Sequence, residues 1–181
     1  MNKTVMRLIL GIMLICWMFI IFWFSNQPAT ESSEISGTIS YRLVEDTDDI
    51  FNWGLTAEQI RKIAGNIEYP IRKAAHMTEY AILFLLSYLA TVKISMSQSR
   101  FYNRSIAVLI SLLYACSDEM HQLLVPGRSG KMIDVGIDMA GVLIVLICMI
   151  LSKNTKWKII CGVLLGVLLV AAFVALLFVP F

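Results

Sequence analysis

Apolar positions gather along this chain into five blocks, at residues 5–24, 70–92, 105–125, 132–151 and 157–179. Each is near the ~20 mostly apolar residues that a helix needs to span a bilayer core. The first and fifth blocks hold almost no polar side chains, whereas charges interrupt the middle three. The pattern predicts an all-α, polytopic membrane helical bundle with five transmembrane helices, forming one domain over residues 1–181. Residues 25–69 form the long polar loop. Its first half, SNQPATESSEIS, is serine-rich and predicts a connection. In its second half Thr56 and Gln59 have capping-box spacing, and Ile60, Ile63 and Ile67 recur at helical intervals. This predicts a short amphipathic surface helix that leads into the second span. Pro70 then stands in that span's first turn, where proline is tolerated.

The first block resembles a signal sequence in carrying Lys3 and Arg7 at its start as a basic region. Its apolar core exceeds the ~7–15 residues of a signal peptide, and no small-x-small site follows Phe24. It reads as a retained anchor.

Composition sharpens this picture. The chain is 58% hydrophobic and 15% charged, against about 25% charged in soluble domains. These figures exclude a disordered chain, a collagen-like fibre and a disulfide scaffold, and they argue against a water-soluble enzyme. Charge placement sets the expected orientation, because short cytoplasmic segments carry the excess Lys and Arg. With the N-terminus inside, the cytoplasmic segments hold Lys3 and Arg7, then Lys93, Arg100 and Arg104, then Lys153, Lys156 and Lys158, with no acid among them. Loop 25–69 holds eight acids against Arg42, Arg61 and Lys62. The reading is N-in, C-out, in a membrane crossed several times. The net charge of +2 follows from the cytoplasmic segments and implies no nucleic-acid partner. Cys16, Cys116, Cys148 and Cys161 all fall within blocks, without a CxxC pair, and read as small packing residues. Gly162 and Gly166 form a GxxxG that serves packing within the chain or a dimer face.

The remaining five acids, Glu79, Asp118, Glu119, Asp134 and Asp138, lie in or at the middle three blocks. So do both histidines, His76 and His121, together with Arg72 and Lys73, while Arg128 and Lys131 lie in the short loop beyond. In the N-in arrangement all of them occupy the outer half of the membrane. Helical spacing places each set on one stripe: Arg72, His76, Glu79 and Tyr80; Asp118, His121 and Gln122; Asp134, Asp138 and Gly141. Lys73 and Glu119 point about a quarter-turn away. Glu79 lies ~13 Å below Pro70 at ~1.5 Å per residue. An ionisable group at a helix centre costs about 2.5–3.5 kcal/mol on insertion scales, so such residues mark functional sites.

Several chemistries suit the cluster. Two histidines and several carboxylates can hold a divalent metal, although no HExxH spacing supports one. A His paired with Asp is a general base, and Arg72 or Arg128 can clamp a phosphate or carboxylate. The same residues can also serve as polar glue between helices.

The stretches IRKAAHMTEYAIL at 71–83, CSDEMHQLLVPGRSG at 116–130 and DVGIDMAG at 134–141, with FSNQP at 24–28, resemble the VanZ-like family of bacterial membrane proteins. The family's namesake is linked to resistance to teicoplanin, a lipoglycopeptide. The resemblance implies a cell-envelope role, with motif residues at Arg72, Lys73, His76, Glu79, Tyr80, Asp118, Glu119, His121, Gln122, Arg128, Asp134 and Asp138. The expectation is a hydrolase or group-transfer activity on a membrane lipid or lipid-linked envelope precursor, facing the outer leaflet. His121 with Asp118 would be the acid–base pair, assisted by His76 and Glu79. Arg72 and Arg128 would hold an anionic head group, and Asp134 and Asp138 would bind metal or substrate. The alternative is a non-enzymatic module that binds an anionic lipid or the lipoglycopeptide, or moves a proton or lipid.

Overall fold

The computed structural model describes residues 2–94 and 99–151. The fifth predicted span and its GxxxG lie outside the described residues. Five helices, and no strand, are found among those described: α1 (Lys3–Ser25), α2 (Ala29–Phe51), α3 (Ala57–Ile94), α4 (Arg100–Gln122) and α5 (Met132–Leu151). Three of them, α1, α3 and α5, are long and apolar enough to cross a membrane.

α3 is the centre of the assembly, packing against each of the other four helices. Its inner half buries Tyr80, Leu83 and Phe84 against Ile21 of α1, Ala107 and Ala115 of α4, and Val142, Val145 and Met149 of α5. Outward-facing positions are apolar too. Leu8, Ile12, Ile15, Phe19 and Trp23 of α1 are exposed, as are Leu109, Leu113 and Met120 of α4. α4 instead buries small and polar residues, among them Asn103, Ala107, Ser111 and Ala115. Small residues inside with large apolar ones outside is the arrangement of helices that pack in lipid. It also explains why α4, at 23 residues, falls short of the apolar content of the other three.

Two expectations are corrected. The serine-rich half of loop 25–69 is a helix, α2, of 23 residues. Its hydroxyls bond back to their own helix: Ser36 and Ser40 donate to Ser32 O and Ser36 O at 3.0 and 2.7 Å, and Thr47 donates to Leu43 O at 2.6 Å. Such back-bonding satisfies a polar helix interior. Ser36, Ser40 and Val44 can therefore be buried, with Val44 packed on Ile60, Ala64 and Ile67 of α3. The second correction concerns Pro70, which lies inside α3 and not in its first turn. The capping box does form, with Thr56 N–H donating to Gln59 Oε1 at 2.8 Å, but the helix it starts runs on for 38 residues. Bonds to α2 bracket the proline. Ser36 Oγ donates to Glu68 Oε1 at 2.9 Å, and Arg72 Nη1 donates to Ser33 Oγ at 3.2 Å.

Cations cap helix ends at one end of the bundle. Arg7 Nε donates to Lys93 O at 2.7 Å and Arg104 Nη2 to Met149 O at 3.1 Å. Both meet the negative C-terminal end of a helix, α3 and α5 respectively. The polar cluster lies at the other end.

Candidate functional site

At that end a cleft of about 220 Å³ opens between α3, the end of α4, the start of α5 and the 123–131 loop, with Ala29 and Ser32 of α2 along one edge. Arg72, Lys73, His76, Glu119, Gln122, Arg128, Asp134 and Asp138 line it, and Tyr69, Ser129 and Lys131 join them. At Gly141 α5 comes very close to α3: a Cβ added there would collide with the backbone carbonyl of Met77.

Lys73 Nζ stands 2.7 Å from Asp134 Oδ1, joining α3 to α5. His76 Nδ1 lies 3.4 Å from Glu79 Oε2, at ion-pair distance on the same helix. Lys73 and the Arg72 guanidinium both lie over the Tyr69 ring, at 5.3 and 5.8 Å from its centre. Glu119 is buried, and its Oε2 accepts the Lys131 N–H at 2.8 Å, which fixes the start of α5 to α4. Lys73 and Glu119 are thus full members of the site, not peripheral ones. The cleft is enclosed by three helices, so two adjoining faces of each can reach it.

Four of the expected residues lie off the cleft wall. Glu79 sits behind His76. Tyr80 is fully buried, with its ring tilted against Tyr114 at 6.4 Å, and its hydroxyl has no hydrogen-bond partner among the described residues. Asp118 is buried, and its Oδ2 accepts from Gln122 Nε2 at 3.2 Å. His121 turns to α1, where its ring packs tilted against Phe22 at 4.8 Å and Nε2 lies 3.2 Å from Asn26 Oδ1. No hydrogen bond or ion pair joins His121 to Asp118, so the expected acid–base pair is not assembled. The two residues share a helix face only loosely, and Phe22 draws the imidazole to the α1 side. The pair that does meet is His76 with Glu79.

Arg128 lines the cleft, and its own hydrogen bonds run to backbone carbonyls. Its Nε donates to Gln27 O at 2.7 Å and its Nη2 to Phe24 O at 3.1 Å. It caps the C-terminal end of α1 and ties the 123–131 loop to the α1–α2 joint. Burial pushes this guanidinium below its ordinary pKa, with the Asp118 charge opposing. The FSNQP segment is that joint. Ser25 accepts from Gln122 Nε2 at 3.1 Å, Asn26 meets His121, and Pro28 begins α2. The motif was visible in the sequence, but its role was not, because its partners lie about 100 residues away. Ser33, which accepts from Arg72, had no signal beyond the serine-rich composition. Among the described residues, no three His, Cys, Asp or Glu side chains are grouped to hold a metal ion.

The family model of VanZ/LLP1 matches residues 10–153, from α1 through the end of α5. The chain belongs to the VanZ/LLP1 family. No curated protein and no solved structure matches it. The VanZ/LLP1 match takes in every residue of the cleft.

Proposed function

We propose that this VanZ/LLP1 protein sits in a bacterial cytoplasmic membrane and draws the anionic head group of a lipid, or of a lipid-linked envelope molecule, into the cleft. The carrying observation is the cleft itself. It gathers Arg72, Lys73, Arg128 and Lys131 around a space of about 220 Å³. That is below the ~300–1,000 Å³ of drug-sized ligand pockets, so it suits a head group rather than a whole lipid. An N-in arrangement with five spans, with the cleft toward the outer leaflet, agrees with the basic residues at the opposite end of the bundle. His76 with Glu79 is the acid–base pair of this reading, and the reaction is hydrolysis or group transfer at the head group. The family's association with teicoplanin resistance extends to this chain as a proposed consequence of changing envelope lipids.

A second reading is binding without turnover. It is favoured by the separation of His121 from Asp118 and by Arg128 being engaged with backbone carbonyls. Comparative lipid mass spectrometry separates the two. Cells expressing wild type, His76→Gln or Arg72→Ala at matched levels should differ in lipid profile if the protein is an enzyme. Identical profiles in all three would sink catalysis. Teicoplanin susceptibility of the same strains tests the resistance link.

A further inference from the structure

Exposure orders the cleft by charge. Lys131 is exposed and Arg72 and Arg128 are half-buried, so the cations lie toward the mouth. Asp138 is 2% exposed and Glu119 7%, so the carboxylates lie at the base. Glu119 is occupied by the Lys131 N–H and Asp134 by Lys73. Asp138 has neither kind of partner: among the described residues no hydrogen bond or salt bridge reaches its carboxylate. The His76 charge bears on it most strongly, opposed by those of Asp118, Glu119 and Glu79. A buried polar group is normally hydrogen-bonded, and a buried charge is normally paired. The Tyr80 hydroxyl, one turn beyond His76 on α3, is also buried and unpartnered.

We infer that the head group is zwitterionic, of the phosphoethanolamine class, with its phosphate among Arg72, Arg128 and Lys131 and its primary ammonium on Asp138. This rests on the reading of the cleft as a head-group site and specifies its ligand. A phosphate alone would satisfy the mouth and leave the base with an excess of negative charge. A hydroxyl would bond to Asp138 without balancing that charge. A primary ammonium does both, and offers three donors where a quaternary one offers none.

The test uses the full chain purified in detergent, with lipid binding read by native mass spectrometry. The probes are phosphatidylethanolamine, phosphatidic acid, phosphatidylcholine and diacylglycerol, with O-phosphoethanolamine as a soluble competitor. Phosphatidylethanolamine should bind at least about tenfold tighter than phosphatidic acid or phosphatidylcholine. Asp138→Asn, near-isosteric and with an unchanged or higher melting temperature, should abolish that preference. Arg72→Ala should weaken phosphatidylethanolamine and phosphatidic acid alike. Displacement by O-phosphoethanolamine would assign the chemistry to the head group alone, and a lack of displacement with the preference intact would assign it to the lipid. Phosphatidic acid binding as well as phosphatidylethanolamine, or a preference that survives Asp138→Asn, overturns the zwitterion while leaving an anionic head-group site standing. If no phospholipid binds better than diacylglycerol, the head-group reading falls as well.

Discussion

Lys73 on α3 and Asp134 in the first turn of α5 form an ion pair at 2.7 Å, each side chain only 17% exposed. The pair closes one wall of the cleft and neutralises one of its four cations. Removing one partner of a buried pair leaves an uncompensated charge, which costs about 3–5 kcal/mol, whereas replacing both with apolar groups is often near neutral. Asp134→Ala should therefore lower the melting temperature in detergent clearly more than Lys73→Met with Asp134→Leu. Equal losses would mean that the charges do not see each other.

Gly141→Ala should destabilise the protein by about 1–3 kcal/mol, the usual cost of overpacking. The new methyl meets the Met77 carbonyl, which belongs to backbone and cannot swing aside. Gly136, five residues earlier on the same helix, has open space at its Cβ position. Gly136→Ala is the matched control and should be neutral or stabilising. Thermal unfolding of both variants decides it.

Arg128→Lys keeps the charge but loses the fork that reaches Gln27 O and Phe24 O together. Hydrogen bonds involving a charged group contribute about 1.5–3 kcal/mol. The variant should loosen the α1–α2 joint, seen as faster proteolysis around residues 24–28 with the rest of the bundle intact. Unchanged cleavage would place the guanidinium's role in the cleft alone.

Tyr80→Phe removes a buried hydroxyl that has no partner among the described residues, so stability should hold or rise. A fall in phospholipid binding at unchanged melting temperature would assign that hydroxyl to the ligand. A fall in melting temperature would instead show that it is satisfied within the protein.

His76→Gln should abolish any effect on envelope lipids, and His121→Gln should leave most of it. The contrast follows from place: His76 lines the cleft beside Glu79, while His121 packs on Phe22. The reverse ranking would restore His121 to the acid–base role.

The candidate site was legible in the sequence because charge inside an apolar block is costly and therefore conspicuous. Arg72, His76, Asp134 and Asp138 stand out on that ground alone. Spacing within one helix was less informative, since it discounted Lys73 and Glu119, which reach the cleft because three helices enclose it. It also joined His121 to Asp118, because it could not register Phe22 on another helix. α2 was hidden for a different reason. Its buried stripe is Ser36, Ser40 and Val44, whereas its apolar period, Ile35, Ile39 and Leu43, is exposed, and its serines read as loop until their back-bonding to i−4 carbonyls is seen. Pro70 read as a boundary, whereas α3 runs through it with bonds to α2 on both sides.

α3 has 38 residues and so extends ~57 Å at 1.5 Å per residue, nearly twice the ~30 Å of a bilayer core. The portion bonded to α2 and the portion that carries His76, Glu79 and Tyr80 belong to that one continuous helix. The serines of α2 and the cleft residues of α3 therefore share a single unbroken backbone, with no loop between them.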